Sequence, residues 1–115
     1  MRVLYYLVFA LSLLSVGGCG PKPDDGKITI VTTTGIVGDC VRAIVGDKAE
    51  VISLMGAGVD PHLYKASQGD ISKLSSADII VYSGLHLEGK MAQMLKNFGK
   101  QKAAFAVGNY VTKSE

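Results

Sequence analysis

Short runs of β-branched residues alternate with stretches of helical periodicity along most of this chain, and that alternation restricts the fold more than any other feature. Lys27 to Thr32, with Ile28, Ile30 and Val31, predicts a strand. Thr33-Thr34-Gly35 ends it, and a helix is predicted from Ile36 to Val45, closed by Gly46 and Asp47. A second strand is expected from Ala49 to Leu54. Ser67, with Asp70 three residues on, has the form of a helix N-cap, and Ile71 and Leu74 supply that helix with a buried side. The continuous apolar run Ile79-Ile80-Val81-Tyr82 suits a strand covered on both faces. Met91, Met94, Leu95 and Phe98 recur at helical spacing within a helix predicted from Glu88 to Phe98, and Ala103 to Val107 reads as a fourth strand.

Strands alternating with helices through short connections imply an α/β fold. The expected form is an open parallel four-stranded sheet with helices on both faces, joined by right-handed crossovers. In such sheets sites form in the loops beyond the carboxyl ends of the strands. Three loops qualify here: Thr33 to Gly35, Met55 to Tyr64, and Ser83 to Glu88.

The N-terminus does not belong to that pattern. Arg2 precedes an apolar run from Val3 to Leu14, and Ser15-Val16-Gly17-Gly18-Cys19 follows. One positive charge, an apolar run and small residues before a cut point make a secretory signal. The run is shorter than the ~20 apolar residues of a spanning helix. Val16-Gly17-Gly18-Cys19 resembles the bacterial lipoprotein box, in which the cysteine is acylated, so Cys19 is the expected lipidation site. More than one acyl chain would hold the protein at a membrane. Residues 1–18 are thus expected to be signal peptide, 19–26 a Pro- and Gly-rich tether, and 27–115 a single α/β lobe. Cys40, among Ile36, Val37, Val41 and Ile44, is expected to be a buried, inert thiol.

Composition narrows the function. Apolar residues make up 48% and charged residues 19% of the chain, which excludes disorder as its main state. The net charge of +2 supplies no basic footprint for nucleic acid. Thr33 to Gly38 lacks the glycine spacing of a dinucleotide or phosphate loop, so a turn and helix cap is expected there. Met55, Met91 and Met94 are expected in the core, and Glu88 at a helix start where the dipole favours a carboxylate. No paired carboxylates and no Ser-His-Asp or Cys-His set is supported.

His62 stands out because Pro61 stiffens the loop around it, and neutral imidazole is the commonest metal ligand. Taken alone it is open to two readings, a ligand or a solvated loop histidine. His86, between Leu85 and Leu87, is open to a ligand role or to a place at a helix entry.

Three segments carry a family resemblance. Val31-Thr32-Thr33 entering Gly35, Leu54-Met55-Gly56-Ala57-Gly58-Val59-Asp60-Pro61-His62-Leu63-Tyr64, and Ala77 to Glu88 occur in the order found in bacterial metal-importer proteins. The chain resembles the zinc/manganese/iron solute-binding lipoproteins of ABC importers, the metal-binding cluster A-I family. The resemblance runs from about Lys27 to Val107, and the Gly-x-Asp-Pro-His-x-Tyr loop is its specific part.

That resemblance implies that His62 is a direct metal ligand and that His86 is not. It implies zinc or manganese as transported ligand, no organic cofactor, an ABC permease as partner, and a monomer held outside the cytoplasm by its lipid. It also implies a second histidine later in the lobe, and a histidine or glutamate and an aspartate from a second lobe. No counterparts of these are found in the sequence, so the chain is expected to represent the N-terminal lobe of a two-lobed, non-enzymatic protein. Two other classes remain. One is a surface adhesin on the same scaffold; the other is a metal-dependent hydrolase using Asp60 and His62.

Overall fold

The computed structural model describes residues 26–111. Four strands form one parallel sheet: β1 (Ile28–Thr32), β2 (Ala49–Ser53), β3 (Ile79–Tyr82) and β4 (Ala103–Ala106), in the spatial order β2-β1-β3-β4. The helices are α1 (Gly35–Val45), α2 (Gln68–Ser76) and α3 (Ala92–Phe98). Short 3-10 turns occupy Gly89–Met91 and Val107–Tyr110. The anticipated open α/β sheet is therefore the one observed.

Successive residues of a strand face opposite sides of the sheet, and the two sides differ here. Val31 and Ile80 are fully buried and cluster with Leu74 of α2, Leu95 of α3, Met55, Ala77 and Met91. Each large apolar side chain buried in this way contributes on the order of 1.5–3 kcal/mol. Met94 packs against the cluster from outside, so the three methionines do serve the core.

The opposite side carries α1 over β1 and β2. A Cβ on Gly38 would lie 2.0 Å from Ser53 Oγ and 2.9 Å from Thr32 Oγ1, so the helix approaches the sheet where it has no side chain. Arg42, one turn on, donates to Ser53 Oγ at 3.1 Å and to Asp39 Oδ1 at 2.8 Å. With Gly38 and Arg42 turned toward the sheet, Ile36 and Ile44 point outward at 80% and 83% exposure. Cys40 lies on that same outward stripe and is exposed, which corrects the expected buried thiol. The apolar spacing was real, but the close approach at Gly38 decides which side of α1 meets the sheet.

Helix ends follow local chemistry. Thr34 caps α1, its hydroxyl accepting from Val37 N–H at 3.4 Å. Ser67 and Asp70 form a reciprocal capping box at the start of α2. The C-terminal carbonyls of α2 receive an unexpected partner: Lys102 Nζ donates to Leu74 O at 3.2 Å, to Ala77 O at 2.8 Å and to Ser75 O. The helix predicted from Glu88 begins later, at Ala92, because Gly89 has a left-handed φ of +36° and residues Gly89–Met91 form a 3-10 turn instead.

Candidate metal centre

Parallel strands place the loops after β1, β2 and β3 along one edge of the sheet. The loop after β2 carries Asp60 and His62. Its first residues stay attached to the sheet, with Leu54 N–H donating to Thr32 O and Met55 N–H to Thr33 O, both at 2.9 Å. Met55 is anchored in the core. At the far end Tyr64 packs against that core and donates its hydroxyl to Asp70 Oδ2 at 2.7 Å. The loop is thus pinned at both ends, and the glycines and proline between fill a span with no side-chain core of its own.

Between the pins, Asp60 and His62 form a local pair. Asp60 Oδ1 accepts the His62 backbone N–H at 2.9 Å and lies 3.1 Å from His62 Nδ1. The hydrogen bond from the His62 backbone, then that from its ring, hold the Asp60 carboxyl below its ordinary pKa. An ionised carboxylate only accepts, so the neutral form of the imidazole that fits this contact carries its hydrogen on Nδ1 and leaves a lone pair on Nε2. A carboxylate behind one ring nitrogen is the usual support of a metal-ligating histidine, fixing tautomer and ring orientation. Both side chains are open to solvent, His62 at 63% and Asp60 at 55%. The pair can therefore present one oriented nitrogen donor to a Lewis acid arriving from outside the lobe.

A cavity of about 590 Å³ opens beside this loop, lined in part by Thr34, Arg42, Ser53, Val59, Pro61 and Leu87. His86 does not border it. It lines a separate hollow of about 210 Å³ with Tyr82, Lys96 and Asn109. The structure brings Asp60 and His62 together and leaves His86 apart, exposed, in a left-handed turn. Leu85 beside it is 73% exposed. Among the described residues no group of three His, Cys, Asp or Glu converges to hold a metal ion.

Glu88 is the residue whose place the sequence did not show. Rather than sitting at a helix start for its dipole, it is buried at 2% exposure. Its carboxylate accepts from Thr33 Oγ1 at 2.7 Å, from Gly84 N–H at 3.0 Å and from Ser83 N–H. An acid wedged between Leu87 and the apolar Met91–Leu95 side was the available signal, since a buried charge needs donors.

A model of a known family, described as zinc-uptake complex component A, periplasmic, matches residues 30–115. The chain belongs to this family. Three members illustrate its range. The manganese-binding lipoprotein MntA of Bacillus subtilis is 45% identical over 119 residues, covering 100% of this chain and 37% of MntA. The iron ABC transporter substrate-binding lipoprotein MtsA of Streptococcus pyogenes is 38% identical, covering 83% of this chain and 32% of MtsA. The solved periplasmic zinc-binding protein TroA of Treponema pallidum superposes with a TM-score of 0.74 at 41% identity, covering 78% of this chain and 32% of TroA.

The chain thus spans about a third of the length of the zinc-uptake family members it matches. MntA and TroA are named for binding a metal, MtsA as an ABC transporter substrate-binding protein, and MntA and MtsA as lipoproteins. The expected signal peptide at 1–18 and Cys19 lie outside the described residues, as does all but Gly26 of the expected tether.

Proposed function

We propose that this chain is the N-terminal lobe of a non-enzymatic, extracytoplasmic lipoprotein that captures a divalent transition metal, zinc or manganese, for an ABC importer. His62 offers Nε2 to the metal, Asp60 orients the ring, and Cys19 carries the lipid anchor that keeps the lobe near its membrane permease. The oriented Asp60–His62 pair on a loop pinned at both ends is the observation that carries this reading. Family membership and the metals named for the relatives support it.

One imidazole binds Zn²⁺ or Mn²⁺ weakly, because affinity comes from several ligands held together. Calorimetric titration of the 115-residue chain with each metal should give no submicromolar binding. The weak residual response should vanish in His62→Ala and persist in His86→Ala. Submicromolar binding that survives His62→Ala would overturn the assignment. Mass spectrometry of membrane fractions should find diacylglycerol on Cys19, and none after Cys19→Ala.

A further inference from the structure

The midpoint of the His62 loop meets the rest of the lobe backbone to backbone. A Cβ built on Gly89 would lie 2.7 Å from His62 O, 3.4 Å from His62 C and 3.5 Å from His62 Cα. Only a residue without a side chain admits that approach, and its φ of +36° is a conformation that L side chains rarely adopt. Gly89 directly follows Glu88, whose buried carboxylate ties the end of β1, through Thr33, to the end of β3, through Ser83 and Gly84. The Glu88 carbonyl accepts Met91 N–H at 2.7 Å, which joins the same segment to the core. Two strand ends, one buried acid and one glycine therefore lie in sequence beneath the His62 peptide.

The His62 ring cannot be placed by packing, because most of it is in solvent. Asp60 sets its orientation within the loop but belongs to that loop and is itself exposed. Its position relative to the strand ends has to come through the backbone. We infer that Glu88 and Gly89 are positioning residues for His62: the tethered carboxylate sets where residue 89 lies, and Gly89 sets how closely the His62 peptide approaches the sheet edge. This rests on the proposed role of His62 as a ligand. Losing such a support displaces a donor without removing it, and supporting partners of metal ligands are commonly worth about 10–100-fold in affinity.

The test uses the purified chain, following the His62 amide and ring resonances by NMR, with Zn²⁺ alone as the probe of the ring and calorimetry as the check on its loss. All variants are measured at a temperature where circular dichroism shows them folded. Gly89→Ala and Glu88→Gln should each shift the His62 amide resonance and weaken the nuclear Overhauser contact between His62 and residue 89. Thr33→Val, which removes one donor to Glu88, should move the same resonances, and Thr33→Ser, which keeps the hydroxyl, should restore them. Leu95→Ala removes a core side chain and should lower Tm without moving them.

Parent-like His62 resonances and Overhauser contacts in Glu88→Gln and Thr33→Val, with Zn²⁺ binding abolished in His62→Ala, would overturn the positioning role and leave the ligand intact. A Zn²⁺ response unaltered in His62→Ala would instead remove the ligand reading on which it rests. Displacement of the His62 resonances in Leu95→Ala as large as in Glu88→Gln would show general destabilisation and overturn the inference. If Gly89→Ala and Glu88→Gln do not fold, the Thr33→Val and Thr33→Ser pair decides it.

Discussion

The hydroxyl of Thr33 donates to the buried carboxylate of Glu88 at 2.7 Å, across 55 residues of sequence. Both side chains are almost wholly out of solvent, and the bond joins the end of β1 to the turn after β3. Among the described residues every buried side-chain nitrogen and oxygen has a partner, so this acid is part of a closed polar set.

Replacing Thr33 by Val keeps the shape and removes the donor. Hydrogen bonds to charged groups contribute about 1.5–3 kcal/mol, so Thr33→Val should lose roughly that much. Urea unfolding checks it: the midpoint should fall with the m-value unchanged. A loss below about 0.5 kcal/mol, the size of an ordinary surface change, would show that Glu88 is satisfied without it.

Tyr64 and Asp70 predict a pH profile. Burial alone would raise the Asp70 pKa, but hydrogen bonds from Tyr64 and Ser67, with Lys73 nearby, hold it below its ordinary 3.8. A folded value below the unfolded one stabilises above the unfolded pKa and is lost as pH falls through the folded value. Tyr64 moves the other way, pushed from 10.0 up to about 12 chiefly by its bond to Asp70. Its contribution is whole below pH 10 and is lost as pH rises through 12. Unfolding free energy should therefore decline at both extremes, and Tyr64→Phe should flatten both declines.

Lys102 reaches back to the carbonyl end of α2, where its charge also meets the helix dipole. Lys102→Met keeps most of the aliphatic stem but strips the donors from three carbonyls. A loss of about 1–2 kcal/mol is expected, read as a lower thermal midpoint. An unchanged midpoint would mean that water replaces the ammonium at no cost.

Gly38 and Cys40 report which side of α1 meets the sheet. Gly38→Ala gains helix propensity of about 1 kcal/mol but drives a methyl group into Ser53 Oγ. Overpacking typically costs about 1–3 kcal/mol, so the net effect should be destabilising. Cys40 should react with a maleimide in native buffer at a rate close to that in urea. Strong protection of the native thiol would contradict the outward stripe.

The open parallel four-stranded sheet follows from features that are local in sequence. Runs such as Ile79–Tyr82 alternate with capped helices such as the one opened by Ser67 and Asp70, and right-handed crossovers leave few ways to connect them. The Asp60–Pro61–His62 segment was also legible, because its hydrogen bonds close within two residues.

Only the tertiary structure decided what depends on contacts between distant segments. The spacing of Ile36, Cys40 and Ile44 marks an apolar side of α1 but not where it points; the approach of Gly38 to Ser53 and Thr32 turns it outward. Glu88 stands in sequence at a predicted helix start among apolar neighbours that hint at burial but not at its donors, and Gly89 looks like any turn glycine. Their meaning comes from Thr33 and His62, which the fold brings beside them. A periodic pattern records a residue's own backbone geometry, whereas a buried charge or a missing Cβ takes its role from the neighbour that packing supplies.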